Sequence, residues 1–228
     1  MATNLDLDEQ EQIDQLKYFW RRYGNLITAV ITIAVVGYAA FAGWNWYQRD
    51  QAAKASAMFD EFEKATQAAD LDRTARVFAD LKDRYPSTAF TGQAGLLTAK
   101  LQFDKGQADN AIATLNWVAD SAKESHYQTI AKLRIAGILM DQKKYDEALK
   151  QLDGASDKDF ASLIEDRRGD ILMAQGNKEG AKLAYAKAWQ TMDPTVDYRR
   201  LVEAKLTALG AAPNLLPSVK PKLAGEAQ

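Results

Sequence analysis

Ile138-Leu139-Met140-Asp141-Gln142 returns further along the chain as Ile171-Leu172-Met173-Ala174-Gln175. After each copy comes a short turn, Lys143-Lys144 in one and Gly176-Asn177 in the other, then a second helical segment opening around Ala148 or Ala181. A weaker copy precedes them, from Leu101 to Phe103 through a Gly106 turn to Ala111. Ala75 to Leu81, closed by Tyr85-Pro86, reads as the second helix of one more. The alanines Ala75, Ala111, Ala148 and Ala181 align these copies at a near-constant interval. A period of about 35 residues marks stacked supersecondary units. A small residue recurring at one place lets the two helices of each unit approach closely. One helix pair cannot hide its apolar face alone, so neighbours stack, and the fold class expected is all-α, a helical-repeat solenoid.

Working outward, only Pro86 and Pro194 interrupt the chain between the first repeat and residue 211, and no stretch alternates apolar and polar over strand length. The repeat domain is placed at residues 47–210. It opens on a helix whose face is Ala52, Ala55, Phe59, Phe62 and Ala69, and it ends on a closing helix from Arg199 to Leu209. Residues 211–228 carry Pro213, Pro217 and Pro221, a density that favours an extended, flexible tail; Asn214-Leu-Leu-Pro217 within it has the form of a recognition peptide.

Upstream, the segment from Gly24 to Trp46 contains no Asp, Glu, Lys or Arg. As a helix it would extend about 35 Å, enough to cross a hydrocarbon core of about 30 Å. Tyr18, Phe19, Trp20 and Tyr23 flank one end and Trp44, Trp46 and Tyr47 the other, where amphipathic rings favour the headgroup boundary. Ala40-Phe41-Ala42 matches a signal-peptide cleavage pattern, but five acids precede the span where a signal peptide would be basic. The expectation is a single-pass transmembrane helix at 24–46. Lys17, Arg21 and Arg22 before it, against Arg49 and Lys54 after, orient the N-terminus inward. Residues 1–23 form a cytoplasmic leader in which Asp8 and Glu11 are placed to cap a short interfacial helix with Ile13, Leu16, Trp20 and Tyr23 on its apolar, lipid-facing side. Ala39 and Gly43, a small-xxx-small pair, would let another membrane helix come close.

The chain of 228 residues has no cysteine and one histidine, His126. Thiolate chemistry, disulfides, HExxH zinc sites and cages of several imidazoles are thereby excluded, and a Ser-His-Asp triad would rest on His126 alone, which has no acid at helical spacing except Glu124 nearby. After residue 46 there are 26 basic and 26 acidic side chains, no signature of nucleic-acid binding. Gly176-Asn-Lys-Glu-Gly180-Ala-Lys182 has the wrong spacing for a phosphate loop and falls at a repeat turn. Asp157-Lys-Asp159 with Glu165 lacks the central glycine of a calcium loop, and its acids more simply start a helix. The expectation is a non-enzymatic protein without cofactor or metal.

The period and positions resemble the tetratricopeptide repeat, best in Tyr145-Asp-Glu-Ala148-Leu149 and in Gly169, Leu172, Gly176, Ala181, Tyr185, Ala188 and Pro194. Ala136 and Ala99 stand where that repeat has Gly, and Pro194 comes one position late. The resemblance implies a concave groove lined by the first helices, holding Leu96, Lys100, Phe103 and Asp104, then Leu133, Gly137, Met140 and Asp141, then Asp166, Asp170 and Met173. Met140, Met173 and Phe103 would accept varied apolar side chains, and the acids would favour basic flanks. Trp117 and Trp189, in second helices, read as packing. The order of segments, with the leader Leu16-Lys-Tyr-Phe-Trp-Arg-Arg-Tyr-Gly24 before span and repeats, is similar to the YfgM-like ancillary subunits of the bacterial Sec translocon. That likeness implies an inner-membrane protein with a periplasmic repeat domain. Its implied partners are Sec translocon subunits, a periplasmic chaperone and exported unfolded polypeptides. A structural scaffold of another envelope assembly, for cell-wall or cytochrome maturation, is the alternative.

Overall fold

The computed structural model describes residues 7–155 and 157–212. The first six residues of the leader and the tail from Pro213, with its Asn214-Leu-Leu-Pro217 peptide, lie outside them. The described elements are α1 (Leu7–Gln67), α2 (Leu71–Arg84), α3 (Ala89–Asp104), α4 (Ala108–Ser121), α5 (Ser125–Asp141) and α6 (Tyr145–Asp153). A 3-10 turn (Lys158–Phe160) comes next, then α7 (Ala161–Ala174), α8 (Lys178–Thr191) and α9 (Tyr198–Ala208). The all-helical repeat fold read from the sequence is borne out. Contacts divide the chain into two units that part between Ala53 and Lys54.

In the unit before that point, α1 carries its apolar side chains outward. Leu26, Val30, Ile33, Val36 and Phe41 are all exposed, with no protein packed on them. An 18-residue window here has a mean hydropathy of 2.1, so the helix is long and apolar enough to cross a membrane. The Thr32 hydroxyl donates to the Thr28 carbonyl at 2.8 Å, which satisfies a polar group that lipid would leave unpaired. Phe19 and Tyr23 sit 5.1 Å apart, and Trp44 and Tyr47 6.1 Å, one ring pair at each end of the apolar stretch. The leader has no separate helix of its own: α1 is unbroken from Leu7, so Asp8 and Glu11 fall inside it.

In the second unit the repeat is written in the backbone before it is written in side chains. Ala69, Gly106, Lys143 and Gly176 all adopt left-handed φ, at 50°, 78°, 62° and 85°. The first two intervals between them are equal, and the third is shorter by four positions. Each of these residues closes a first helix in the same way. The residue after it donates to a carbonyl five positions back: Asp70 to Ala65, Gln107 to Gln102, Lys144 to Leu139 and Asn177 to Leu172, at 2.9–3.1 Å. This is the Schellman geometry that caps orphan carbonyls. The same intervals align Thr74, Ala111, Ala148 and Ala181, each fully buried in the first turn of a second helix. The sequence alignment through Ala75 is therefore one residue late, and Thr74 fills the small position of the first unit. Ala69 is likewise a turn residue; the face of α1 that packs here is Ala55, Phe59, Phe62 and Ala65. A lysine in the left-handed region costs about 1–2 kcal/mol relative to glycine, partly offset by the larger entropy glycine loses on folding. Lys143→Gly is accordingly expected to stabilise the domain by about 0.5–1 kcal/mol, read as a higher urea midpoint with an unchanged m-value.

One turn beyond the small positions Ala111, Ala148 and Ala181 comes a large buried residue: Leu115, Leu152 and Tyr185. Its counterpart on the first helix of the same unit is Ala99, Ala136 and Gly169. The aromatic Phe90, Tyr127 and Phe160 recur in the same register near the start of each first helix. Phe90 packs on Phe59 at 5.5 Å, while Tyr127 and Phe160 lie against the central core. One core runs from α3 to α7, a second joins α1, α2 and α3 through Phe59, Phe78 and Leu81, and a third joins α8 and α9 through Tyr185, Val202 and Leu206. Trp117 meets Phe78 edge-on at 5.5 Å, and Trp189 lies under the Arg199 guanidinium at 4.0 Å, so both tryptophans take part in packing.

Candidate functional site

First helices show one stripe to the core and another away from it. On α5 the outer stripe is Ile130, Leu133, Arg134, Gly137 and Asp141, spaced by three and four. Together with Lys100 and Phe103 of α3, Leu163 and Arg167 of α7, and Phe160 of the 3-10 turn, it lines a concave groove of about 470 Å³. Ala99, Leu115 and Ile138 form its floor. Phe103 and Leu163 are 41% and 37% exposed, which leaves apolar surface open on both walls. Arg134 is anchored by donating to the Leu96 carbonyl at 2.8 Å. Lys100 pairs with Asp104 one turn further along α3.

The residues expected from the repeat positions divide by this geometry. Lys100, Phe103, Leu133, Gly137 and Asp141 come together in the groove. Leu96 does not: its side chain is buried in the central core and only its carbonyl serves the site. Asp104 lies beside the groove as the partner of Lys100. Met140 is half-buried against the core, and Met173 is exposed but does not line the groove. Ala39 and Gly43 belong to the first unit, where a Cβ placed on Gly43 would meet nothing within 4 Å beyond its chain neighbours and the backbone of its own helix. The sequence reading missed Ile130, Arg134, Phe160, Leu163 and Arg167. The four-residue spacing of Ile130, Arg134 and Ile138 was the signal available for α5.

Asp166 and Asp170 require a correction. Asp166 is only 3% exposed, and its carboxylate accepts from Lys205 Nζ at 2.8 and 3.0 Å and from the Tyr198 hydroxyl at 2.8 Å. Asp170 accepts from the same Lys205 at 2.7 Å and from the Tyr185 hydroxyl at 2.8 Å. Burial first, then these carboxylate bonds, push both phenols above the ordinary tyrosine range. The two acids chosen on α7 from the repeat positions are the ones that Tyr198 and Lys205 of the closing helix α9 engage. Neither acid can therefore confer a preference for basic flanks. What remains charged on the groove walls is Lys100, Arg134 and Arg167 against Asp141.

The phosphate-loop and calcium-loop look-alikes are helix starts. Asn177 caps α8 by accepting from Gly180 N at 2.9 Å, and Asp157 caps the 3-10 turn by accepting from Asp159 N at 3.1 Å. No cluster of three or more potential metal ligands occurs among the described residues.

Residues 17–211 match the family model of the tetratricopeptide repeat-like domain. A Neisseria gonorrhoeae protein named ancillary SecYEG translocon subunit is 32% identical over 204 residues, which covers 89% of this chain and 98% of the relative. Proteins of the same name from Escherichia coli and Haemophilus influenzae are 25% and 26% identical, covering 89% and 81% of this chain and 97% and 90% of their own lengths. A chain matched from before its apolar helix to the end of its last repeat, at nearly the full length of these relatives, belongs to the tetratricopeptide repeat-like family of ancillary SecYEG translocon subunits.

Proposed function

We propose that this chain is a single-pass inner-membrane protein, N-terminus cytoplasmic and repeat domain periplasmic, that associates with the Sec translocon. In this reading residues 24–46 span the bilayer, 47–210 form the periplasmic domain, and 211–228 serve as its tail. The groove holds polypeptide leaving the translocon or a periplasmic chaperone that receives it. The role is non-catalytic, as in the family. The observation that supports it best is the pairing of an uncovered apolar helix with an open, apolar-walled groove in a chain that aligns along its length with subunits named for SecYEG.

The absence of cysteine makes one experiment test place and partner together. A membrane-impermeant, photo-activatable maleimide would be applied to intact cells carrying Phe103→Cys, Leu163→Cys or Asp14→Cys in an otherwise cysteine-free chain. Label at positions 103 and 163 but not at 14 is the expected result. Irradiation is then expected to join the labelled groove to translocon subunits, a periplasmic chaperone or a range of exported chains. Label at position 14 alone would reverse the orientation. Adducts to one unrelated envelope protein would replace the export role by a fixed scaffold.

A further inference from the structure

Among the described residues, one of the three cations on the groove wall has neither an ion pair nor a hydrogen bond. That cation is Arg167, whereas Lys100 pairs with Asp104 and Arg134 serves the Leu96 carbonyl. The acid beside Arg167 in sequence, Asp166, is already held by Lys205. The guanidinium lies against the outer stripe of α5 at Gly137, where a Cβ would sit 3.7 Å from Nη1, in ordinary contact. An unpaired guanidinium between exposed apolar walls is a half-made site, because a partly desolvated cation gains most from a carboxylate that reaches it with its own bidentate geometry.

We infer that the groove selects extended apolar polypeptide segments flanked by Asp or Glu, whose carboxylates pair with Arg167 and, secondarily, Arg134. This rests on the proposal that the groove holds polypeptide at all. It reverses the charge preference that the acids of the first helices would suggest. Phe103 and Leu163 receive the apolar side chains, and Asp141 disfavours a second acid at its own end, which gives the bound segment a direction.

The test uses the full chain in lipid nanodiscs and three fluorescent peptides sharing one Leu/Phe-rich centre, flanked by Glu, Gln or Lys. Anisotropy titrations at low salt are expected to show the Glu peptide binding about tenfold more tightly than the Lys peptide, with the difference shrinking as salt rises. Arg167→Gln is expected to remove most of the difference between the Glu and Lys peptides, and its circular dichroism spectrum reports whether the variant is folded. Arg167→Glu is expected to invert the order. Equal binding of all three peptides to the unaltered chain would overturn the charge selection while leaving the groove in use. Preference for the Lys peptide would overturn it in favour of Asp141. Failure of every peptide to bind would remove the polypeptide-holding role itself.

Discussion

Replacing Lys205 by methionine is expected to lower the unfolding free energy by about 3 kcal/mol, at the lower end of the cost of breaking a buried ion pair from one side. The loss does not measure the attraction between Lys205 and its partners. It is chiefly the cost of leaving the Asp166 carboxylate, 3% exposed, with only the Tyr198 hydroxyl for company. The partial exposure of Lys205, 22% of its side chain, keeps the figure from the upper end of that range. Urea unfolding followed by circular dichroism would show a lower midpoint. The companion variant decides the cause: Asp166→Leu combined with Lys205→Met removes the lysine and the deeply buried carboxylate, leaves Asp170 with the Tyr185 hydroxyl, and is expected to recover most of the loss. If the double variant were no better than the single one, packing of the lysine stem would be responsible instead of the stranded charge. Because the network joins α7 to α9, the single variant is also expected to raise hydrogen exchange first in α8 and α9.

Gly169→Ala is expected to destabilise by about 1–3 kcal/mol, although alanine improves an isolated helix by about 1 kcal/mol at such a position. A Cβ there would stand 2.4 Å from Tyr185 Cε1 and 2.5 Å from Cδ1. The ring cannot withdraw freely, because its hydroxyl is tied to Asp170 and its face lies 5.2 Å from Lys205 Nζ. The earlier units show the alternative solution, with Ala136 opposite Leu152 and Ala99 opposite Leu115. Gly169→Ala with Tyr185→Leu is therefore expected to regain stability relative to Gly169→Ala alone. A double variant weaker than the sum of its parts would mean that Gly169 is needed for something other than ring clearance.

These two positions also mark what could and could not be read from the chain. Gly169, Ala181 and Tyr185 stood out because their residue types are those of the repeat, and the recurring Ile-Leu-Met segments made the stacking visible. The first unit was harder. Its left-handed turn residue is Ala69 and its small position is Thr74, so neither residue type announces the role, and the alignment settled one residue away on Ala75. The site was legible only in part, for a tertiary reason. On α7 the repeat positions point to Asp166, Asp170 and Met173, but Tyr198 and Lys205 of α9 take up the two acids. No local pattern in residues 161–174 records where a helix so much further along the chain will pack. Nothing in the sequence sets Arg167 apart from the other charges of α7, and only the groove around it does so. Phe160 was hidden by its place in a 3-10 turn outside any helical period.

The interval from the Lys143 turn to the Gly176 turn, four positions shorter than the two before it, has a consequence for how this chain can vary. The shortening lies between Leu152 and Lys158, since α6 ends after 9 residues where α4 runs for 14, while everything on either side keeps its register. The cut takes about one turn, or about 6 Å, from the rod of α6, and the non-α-helical connection after Asp153 absorbs it before α7 begins. Helical phase does not pass through such a connection, so α7 is oriented by its own packing, through Ile164 and Ile171, and not by the length of α6. The back of the solenoid can thus change length at this joint while the groove keeps its lining.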